Sequence, residues 1–275
     1  MELRRELAVL LLILAFAGLL RLGVAVRSPS MPAGDGIASQ LELAENLRRG
    51  LGFSTMRKWT LYDPSMAPLR PEANRQPALS VMLAGVFALF GASFPAAQAV
   101  SLLLGLGCLV AFWAWARAAL SRRAALLALA AMAVNPLQVF YSTQPDSLLP
   151  FTMILFIGLI VARGTPSFRR ALVLGAVCGL SWLFRTQGSL LAVAMLAWVL
   201  LAGERRLLRG LLFCAAALLV MSPWMLRNLS AFGDPLYSQG GQFLLNENHW
   251  AAWEVRASAP AMTDLLVHRG PLAVL

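Results

Sequence analysis

The chain has 275 residues, of which 59% are hydrophobic and 13% charged, with a mean hydropathy of +0.69. Soluble domains are about 45–50% apolar and about 25% charged, so the composition excludes an ordinary water-soluble globule and a disordered chain. The formal net charge is +10. Because long apolar runs accompany this basic excess, the predicted partner is a membrane surface and not a nucleic acid.

Apolar runs divide the chain into candidate membrane spans. The first run follows a basic start and is interpreted as a retained anchor. A cleaved signal peptide is the alternative, but the run exceeds the usual signal core of about 7–15 residues and lacks a small-residue cleavage site. The run at 78–90 is too short to span comfortably and suits a re-entrant or interfacial helix. The remaining predicted spans are 7–26, 95–116, 124–141, 147–162, 171–184, 189–203 and 210–221.

The arginines predict the topology. They cluster at residues 4–5, 117–123, 163–170 and 205–209. If each cluster is cytoplasmic, an even number of spans must separate neighbouring clusters. The sequence therefore predicts an all-α integral membrane protein of about seven transmembrane helices. Its amino terminus would be cytoplasmic and its carboxyl terminus external, in what is predicted to be a bacterial cytoplasmic (inner) membrane.

The first external loop, residues 27–94, carries two of the predicted elements. An apolar stripe of Ile37, Leu41, Ala44 and Leu47 predicts an amphipathic juxtamembrane helix over about 37–49, lying on the membrane. The re-entrant helix over about 78–90 follows an irregular stretch. We divide the chain into a transmembrane module, residues 1–223, and an external carboxyl-terminal tail, residues 224–275.

Two external acids are candidates for catalysis. Asp35 directly precedes the amphipathic helix, and Asp146 lies in the short turn before the fourth span. Either can be a helix N-cap, which Asp performs well. Either can instead belong to a polar site on the external face, and Gly34 and Gly36 on either side of Asp35 would let a ligand approach closely.

Three external arginines, Arg75, Arg185 and Arg227, depart from the cytoplasmic trend. A lone arginine at this depth is often an anchor to lipid headgroups. Three together could bind an anion, because guanidinium groups recognise phosphate in a bidentate manner. No metal site is predicted, since His249 and His268 stand alone in the tail.

Four stretches of this chain resemble the GT-C superfamily of polyprenyl-phosphate-sugar glycosyltransferases, above all the protein mannosyltransferases and the lipid A aminoarabinose transferases. They are GDGIASQLELAENLRRGLGFS after the first span, RQPALSVMLAGVFALFG before the second, NPLQVFYSTQPDSLLP at the third-to-fourth turn, and SPWMLRNLSAFGDPLYS after the seventh. Members of the superfamily usually continue with further spans and a soluble domain. After the first acid, this chain has Gly36 and Ile37 where an adjacent acid or a Tyr is commoner.

The resemblance implies roles for the candidate residues. It implies that Asp35 and Asp146 are catalytic acids, with Asp35 as general base. It implies that Arg75 contacts the lipid phosphate, and that Arg185 and Arg227 present further polar groups to the same cavity.

The implied reaction is inverting transfer of a sugar from a polyprenyl phosphate to a lipid, glycan or protein acceptor at the external face. No cofactor is assigned, although a divalent metal remains an alternative. The competing functions are a transporter or flippase of a lipid-linked anion and a non-catalytic, truncated paralogue. Transporters usually have two repeat-related halves, which the sequence lacks.

The topology is testable with reporter fusions. We expect reporters after Arg123, Arg170 and Arg209 to signal the cytoplasm, and reporters after Asp63, Asp146 and Asp234 to signal the outside, because each arginine cluster holds its end of the spans in the cytoplasm. An outside signal at Arg123 would show that residues 78–90 cross the membrane.

Overall fold

The computed structural model describes residues 2–28, 32–57, 68–201 and 205–238. Within these ranges the chain is almost entirely helical, which confirms the all-α membrane class. The elements are α1 Glu2–Arg27, α2 Asp35–Arg48, β1 Ser54–Thr55, β2 Arg70–Pro71, α3 Pro77–Phe90, α4 Phe94–Ala119, α5 Arg122–Val134, α6 Pro136–Ser142, α7 Leu148–Val161, α8 Phe168–Phe184, α9 Gly188–Leu201 and α10 Arg206–Phe232.

Each predicted span corresponds to a helix or to a pair of helices. Among the described residues, three helices are long and apolar enough to cross a membrane: Arg4–Arg27, Phe94–Ala119 and Arg206–Phe232. A fourth candidate is α5 with α6, which bend by 62° at their junction. Helices α7 and α9 are apolar but have 14 residues each, or about 21 Å at 1.5 Å per residue. The count of seven spans stays a prediction.

The four arginine clusters lie at one end of the helix bundle. The buried Glu6 carboxylate at the start of α1 accepts ion pairs from Arg117 (2.7 Å) and Arg122 (3.5 Å). Arg163, after α7, donates to the Trp115 carbonyl in α4, and Arg209 of α10 donates to the carbonyl of Pro166 before α8. If an even number of membrane spans separates neighbouring arginine clusters, all four clusters must lie at the same end of the bundle, as they do here.

Helix α10 continues past the predicted end of the last apolar run at Met221. Pro223 lies inside the helix and has no N–H to donate to the Leu219 carbonyl. The Ser222 hydroxyl donates to that carbonyl instead, at 2.8 Å. Because the carbonyl is satisfied within the helix, the proline does not end it, and α10 reaches Phe232.

The loop between α1 and α4, which is predicted to be external, is more ordered than the sequence predicts. A two-stranded antiparallel ladder pairs Ser54 with Pro71 within a stretch expected to be irregular. Helix α2 begins at Asp35 with Gly34 in the N-cap position, so Asp35 is the first helical residue and not the cap. Helix α2 packs on α3, where the Ser80 hydroxyl is bonded to Gln40.

Small residues bring α8 against α10. A Cβ atom built at Gly175 would lie 3.0 Å from the Phe213 Cα and closer still to its carbonyl oxygen, and one at Gly179 would lie 2.7 Å from the Ala217 oxygen. Contacts this short leave no room for a side chain, so the two backbones touch. Such close helix packing is typical of membrane proteins.

We expect Gly175→Ala to lower the thermal midpoint of the purified protein, because the added methyl group must separate α8 from α10. Overpacking of this kind costs about 1–3 kcal/mol. Gly85→Ala in α3 is the matched control, since its Cβ would meet no atom within 4 Å. The control should leave the midpoint unchanged or raise it, because Ala favours a helix over Gly. Equal midpoints for the two variants would contradict the close packing.

Candidate active site

A polar cavity of about 240 Å³ lies at the end of the bundle opposite the arginine clusters. The start of α2, the loop before α3, the start of α7 and the end of α8 surround it. The residues that line it are Gly36, Gln40, Asn74, Arg75, Gln76, Asp146, Ser147, Phe184, Arg185, Thr186 and Gln187. Three of the five predicted site residues, Arg75, Asp146 and Arg185, therefore meet in one cavity.

Asp146 connects the turn before α7 to the turn after α8. Its Oδ1 accepts a hydrogen bond from the backbone N–H of Leu148 at 2.7 Å, so the carboxylate also caps the start of α7. The same oxygen pairs with Arg185 Nη1 at 3.4 Å. Because both contacts that described residues make with this carboxylate fall on Oδ1, Oδ2 stays available as an acceptor. Asp146 thus combines its capping role with a position on the cavity wall.

Arg185 lies where the backbone leaves α8. Its extended conformation, with φ −152° and ψ 140°, turns the chain from α8 into the short connection to α9. Its Nη1 atom is 3.3 Å from the Ser147 hydroxyl as well as 3.4 Å from Asp146. The guanidinium is held at the mouth of the cavity by groups on α7 and the turn before it.

Arg75 lies directly against the start of α2. A Cβ atom built at Gly36 would lie 3.2 Å from Arg75 Nη2 and 3.4 Å from Nη1, so the guanidinium occupies the space that a side chain at position 36 would fill. Burial lowers the pKa of Arg75, while the nearby carboxylates of Glu72 and Asp146 oppose that change. An arginine remains protonated at neutral pH, so the cavity has a permanent positive charge at this point.

Asp35 lies next to the cavity in the chain. It is the first residue of α2, next to Gly36, which lines the cavity. Its side chain lies outside the part of the structure that can be described. The role of Asp35 as general base therefore stays a prediction that its position in α2 supports.

Arg227 does not line the polar cavity. Its guanidinium donates to the carbonyls of Phe53 and Glu72, both at 2.7 Å. It also lies over the rings of Phe53, Trp224 and Phe232, at 5.5, 4.7 and 5.1 Å from their centroids. These contacts hold the end of α10 against the β ladder, so Arg227 organises the loop that carries Arg75.

An apolar groove adjoins the polar cavity. Its volume is about 580 Å³, and Phe184 lines both spaces. Side chains from α2, α3, α8 and α10 form its walls: Leu47, Phe53, Pro77, Ala78, Val81, Met82, Leu180, Leu183, Val220, Pro223, Trp224 and Arg227. An apolar chain in the groove could therefore place a polar headgroup in the cavity.

Two side chains that the sequence did not single out support the site. Glu72 is 1% exposed and accepts the backbone N–H of Asn74, the residue before Arg75. Gln144 accepts the backbone N–H of Ala33 at 3.3 Å, which joins the Asp146 turn to the segment before Asp35. Gln144 lies within one of the four stretches that carry the family resemblance, whereas Glu72 lies outside all of them. For Glu72, the only signal was an acid close to a candidate arginine.

No group of three or more His, Cys, Asp or Glu side chains converges in the described ranges in a way that could hold a metal ion. His249 and His268, which the sequence analysis considered for this purpose, lie outside those ranges.

Comparison with known proteins identifies the family. Searches of curated proteins and of solved structures found no match. The family described as dolichyl-phosphate-mannose-protein mannosyltransferase matches residues 72–226. That stretch is more than half of the chain and includes Arg75, Asp146 and Arg185, whereas Asp35 and Arg227 lie outside it. The chain therefore belongs to the dolichyl-phosphate-mannose-protein mannosyltransferase family, which makes it an integral membrane glycosyltransferase of the GT-C type.

Proposed function

We propose that this protein transfers a sugar, with inversion, from a polyprenyl-phosphate donor to an acceptor hydroxyl at the external face of the membrane. The observation that carries the proposal is the meeting of Arg75, Arg185 and Asp146 in one polar cavity that shares the Phe184 side chain with an apolar groove. A polyprenyl phosphate has the same two parts, an anionic headgroup and a long apolar tail.

Each part of the donor has a plausible place. The polyprenyl tail would lie in the groove between α3, α8 and α10, where burial of apolar surface contributes roughly 25 cal/mol per Å². The phosphate would lie near Arg75 and Arg185, whose charge-assisted hydrogen bonds are stronger than neutral ones. Phe184, at the boundary, would pack where the tail meets the phosphate.

The chemistry requires one base and one stabilised leaving group. Asp35 would take the proton of the acceptor hydroxyl as its oxygen bonds to the anomeric carbon from the face opposite the phosphate. The bond from the anomeric carbon to the phosphate oxygen breaks, and its electrons remain on the lipid phosphate. Arg75 and Arg185 would stabilise the charge that develops there. Asp146 would orient Arg185 and accept a hydrogen bond from the acceptor.

Arg75→Ala should weaken donor use strongly. Loss of a charge-assisted contact of about 1.5–3 kcal/mol corresponds to about a 10- to 150-fold rise in the KM for the donor. The measurement is the KM for radiolabelled polyprenyl-phosphate sugars, tested as a panel with purified protein and a membrane extract that supplies the acceptor.

Arg48→Ala is the control for Arg75→Ala. Arg48 pairs with Glu45 on the exposed side of α2, so its loss should leave donor use unchanged. Equal effects of the two substitutions would favour general attachment to anionic lipid and would contradict a phosphate site at Arg75.

Asp35→Asn distinguishes the enzyme from a transporter or flippase. Asn preserves size and most hydrogen bonding but is not a proton acceptor, so turnover should fall by about 10²- to 10⁴-fold. Donor binding and protein yield should stay the same. The matched control is Glu45→Gln, the same chemical change on an acid of α2 that pairs with Arg48 and Arg49.

Undiminished transfer by Asp35→Asn would remove Asp35 from the mechanism and leave Asp146 as the acid to test. If donor binding persists in the unmodified protein but no panel sugar is transferred, a transporter or a non-catalytic paralogue becomes the better description.

A further inference from the structure

Arg21 is a fully buried arginine in the middle of an apolar helix. Its relative exposure is 0%, although it lies about 9 Å inside the outer end of α1, counting 1.5 Å per residue from Arg27. Nε donates to the Ser142 hydroxyl at 3.0 Å, and Nη1 donates to the carbonyls of Ala17 (3.0 Å) and Ala133 (2.9 Å). Arg21 therefore connects α1 to both α5 and α6.

Its surroundings are poorly suited to a purely stabilising role. No carboxylate pairs with Arg21 within the described part of the chain, and Nη2 has no hydrogen-bond partner there. Burying a charge that has no counter-ion and lacks some of its hydrogen bonds lowers the stability of a protein. Replacing such a charge with an apolar side chain of similar size often leaves the stability unchanged or raises it. The arginine must contribute something that an apolar residue would not.

The contribution lies at the break between α5 and α6. In a continuous helix the N–H of Leu137 would donate to the Ala133 carbonyl. Pro136 interrupts the helix, and the Leu137 N–H donates to Asn135 Oδ1 instead. Arg21 donates a hydrogen bond to the Ala133 carbonyl, which has lost its helical partner. Its second bond, to the Ser142 hydroxyl, holds the far end of α6. One guanidinium thus joins both ends of the bent segment.

Glycine in α4 permits this arrangement. A Cβ atom built at Gly105 would lie 2.7 Å from the Ser142 Cβ, so the end of α6 sits directly on the α4 backbone. Gln98, about two turns earlier on the same face of α4, donates to the Thr143 carbonyl at 3.1 Å. These contacts fix the position of the end of α6, and the turn that contains Gln144 and Asp146 follows directly.

We propose that Arg21 is a positioning residue that sets the place of the turn 143–147 and, through the bond from Ala33 to Gln144, the segment that leads into Asp35. The proposal rests on the proposed glycosyltransferase function for its kinetic consequence. Its structural claim, that Arg21 determines how closely the turn approaches residue 33, stands independently of that function.

The kinetic test compares Arg21→Met with Arg5→Met. Arg21→Met keeps an unbranched side chain, two atoms shorter than that of arginine, and removes the charge and both bonds to the bent segment. We expect its thermal midpoint to fall slightly, because the buried Ala133 carbonyl loses its hydrogen bond. We expect its donor KM to change little and its kcat to fall about 10- to 100-fold, because small misplacements of reacting groups have effects of this size. Arg5→Met makes the same chemical change at an exposed position of α1 and should leave all three quantities unchanged.

A second measurement needs no activity. In a variant whose three cysteines are replaced by alanine, Ala33→Cys and Gln144→Cys are joined with a short bifunctional methanethiosulfonate reagent. We expect efficient cross-linking with Arg21 present and cross-linking about 10-fold slower with Arg21→Met. Arg21→Lys, whose single ammonium group cannot reproduce the fork of a guanidinium, should be slower as well.

The outcomes separate the two proposals. Equal cross-linking rates in the Arg21 and Arg21→Met proteins would overturn the positioning role, and so would full kcat in Arg21→Lys. Failure of both Arg21→Met and Arg21→Lys to fold would make Arg21 a stabilising residue and would also overturn it. Absence of transfer in the unmodified protein, with the cross-linking difference intact, would overturn the proposed function alone.

Discussion

The fold depends on one constraint, that polar backbone groups at membrane depth have no water to bond with and must be satisfied within the protein. The chain meets this constraint at two prolines in opposite ways. At Pro223 a serine of the same helix takes the orphaned carbonyl, and α10 remains continuous. At Pro136 the Asn135 side chain accepts the next two N–H groups. A distant arginine takes the released carbonyl there, and the helix bends.

The difference between the two prolines has a consequence for the site. A straight α5 would carry the chain past the cavity end of the bundle along its original direction. The bend directs α6 toward α4 and α1, so the following turn lies beside the loop before α2 and the end of α8. The cavity wall formed by Asp146 and Ser147 therefore originates in the helix break.

Features that repeat along the chain could be predicted from the sequence, whereas features that arise from tertiary contact could not. Apolar runs and arginine clusters follow from the bilayer, so the helices and the common end of the clusters were predictable. The continuation of α10 was not, because a proline after an apolar run usually marks a helix end and the compensating Ser222 bond is local detail. The β ladder pairs residues that lie 15 or more positions apart. Neither strand has an alternating pattern of apolar and polar residues from which the pairing could be predicted.

The three arginines that are predicted to be external, Arg75, Arg185 and Arg227, show why residue type alone does not define a site. All three occupy comparable positions in the sequence, just outside an apolar run. Arg227 is enclosed by aromatic rings and backbone carbonyls, Arg185 pairs with Asp146, and Arg75 lies over the bare Cα of Gly36. The last contact gives a physical meaning to the glycine that stands where an acid or a tyrosine is commoner. A Cβ atom at position 36 would require the guanidinium to move by a few tenths of an ångström, and a larger side chain would require a larger shift, so the residue at position 36 affects where the positive charge lies in the cavity.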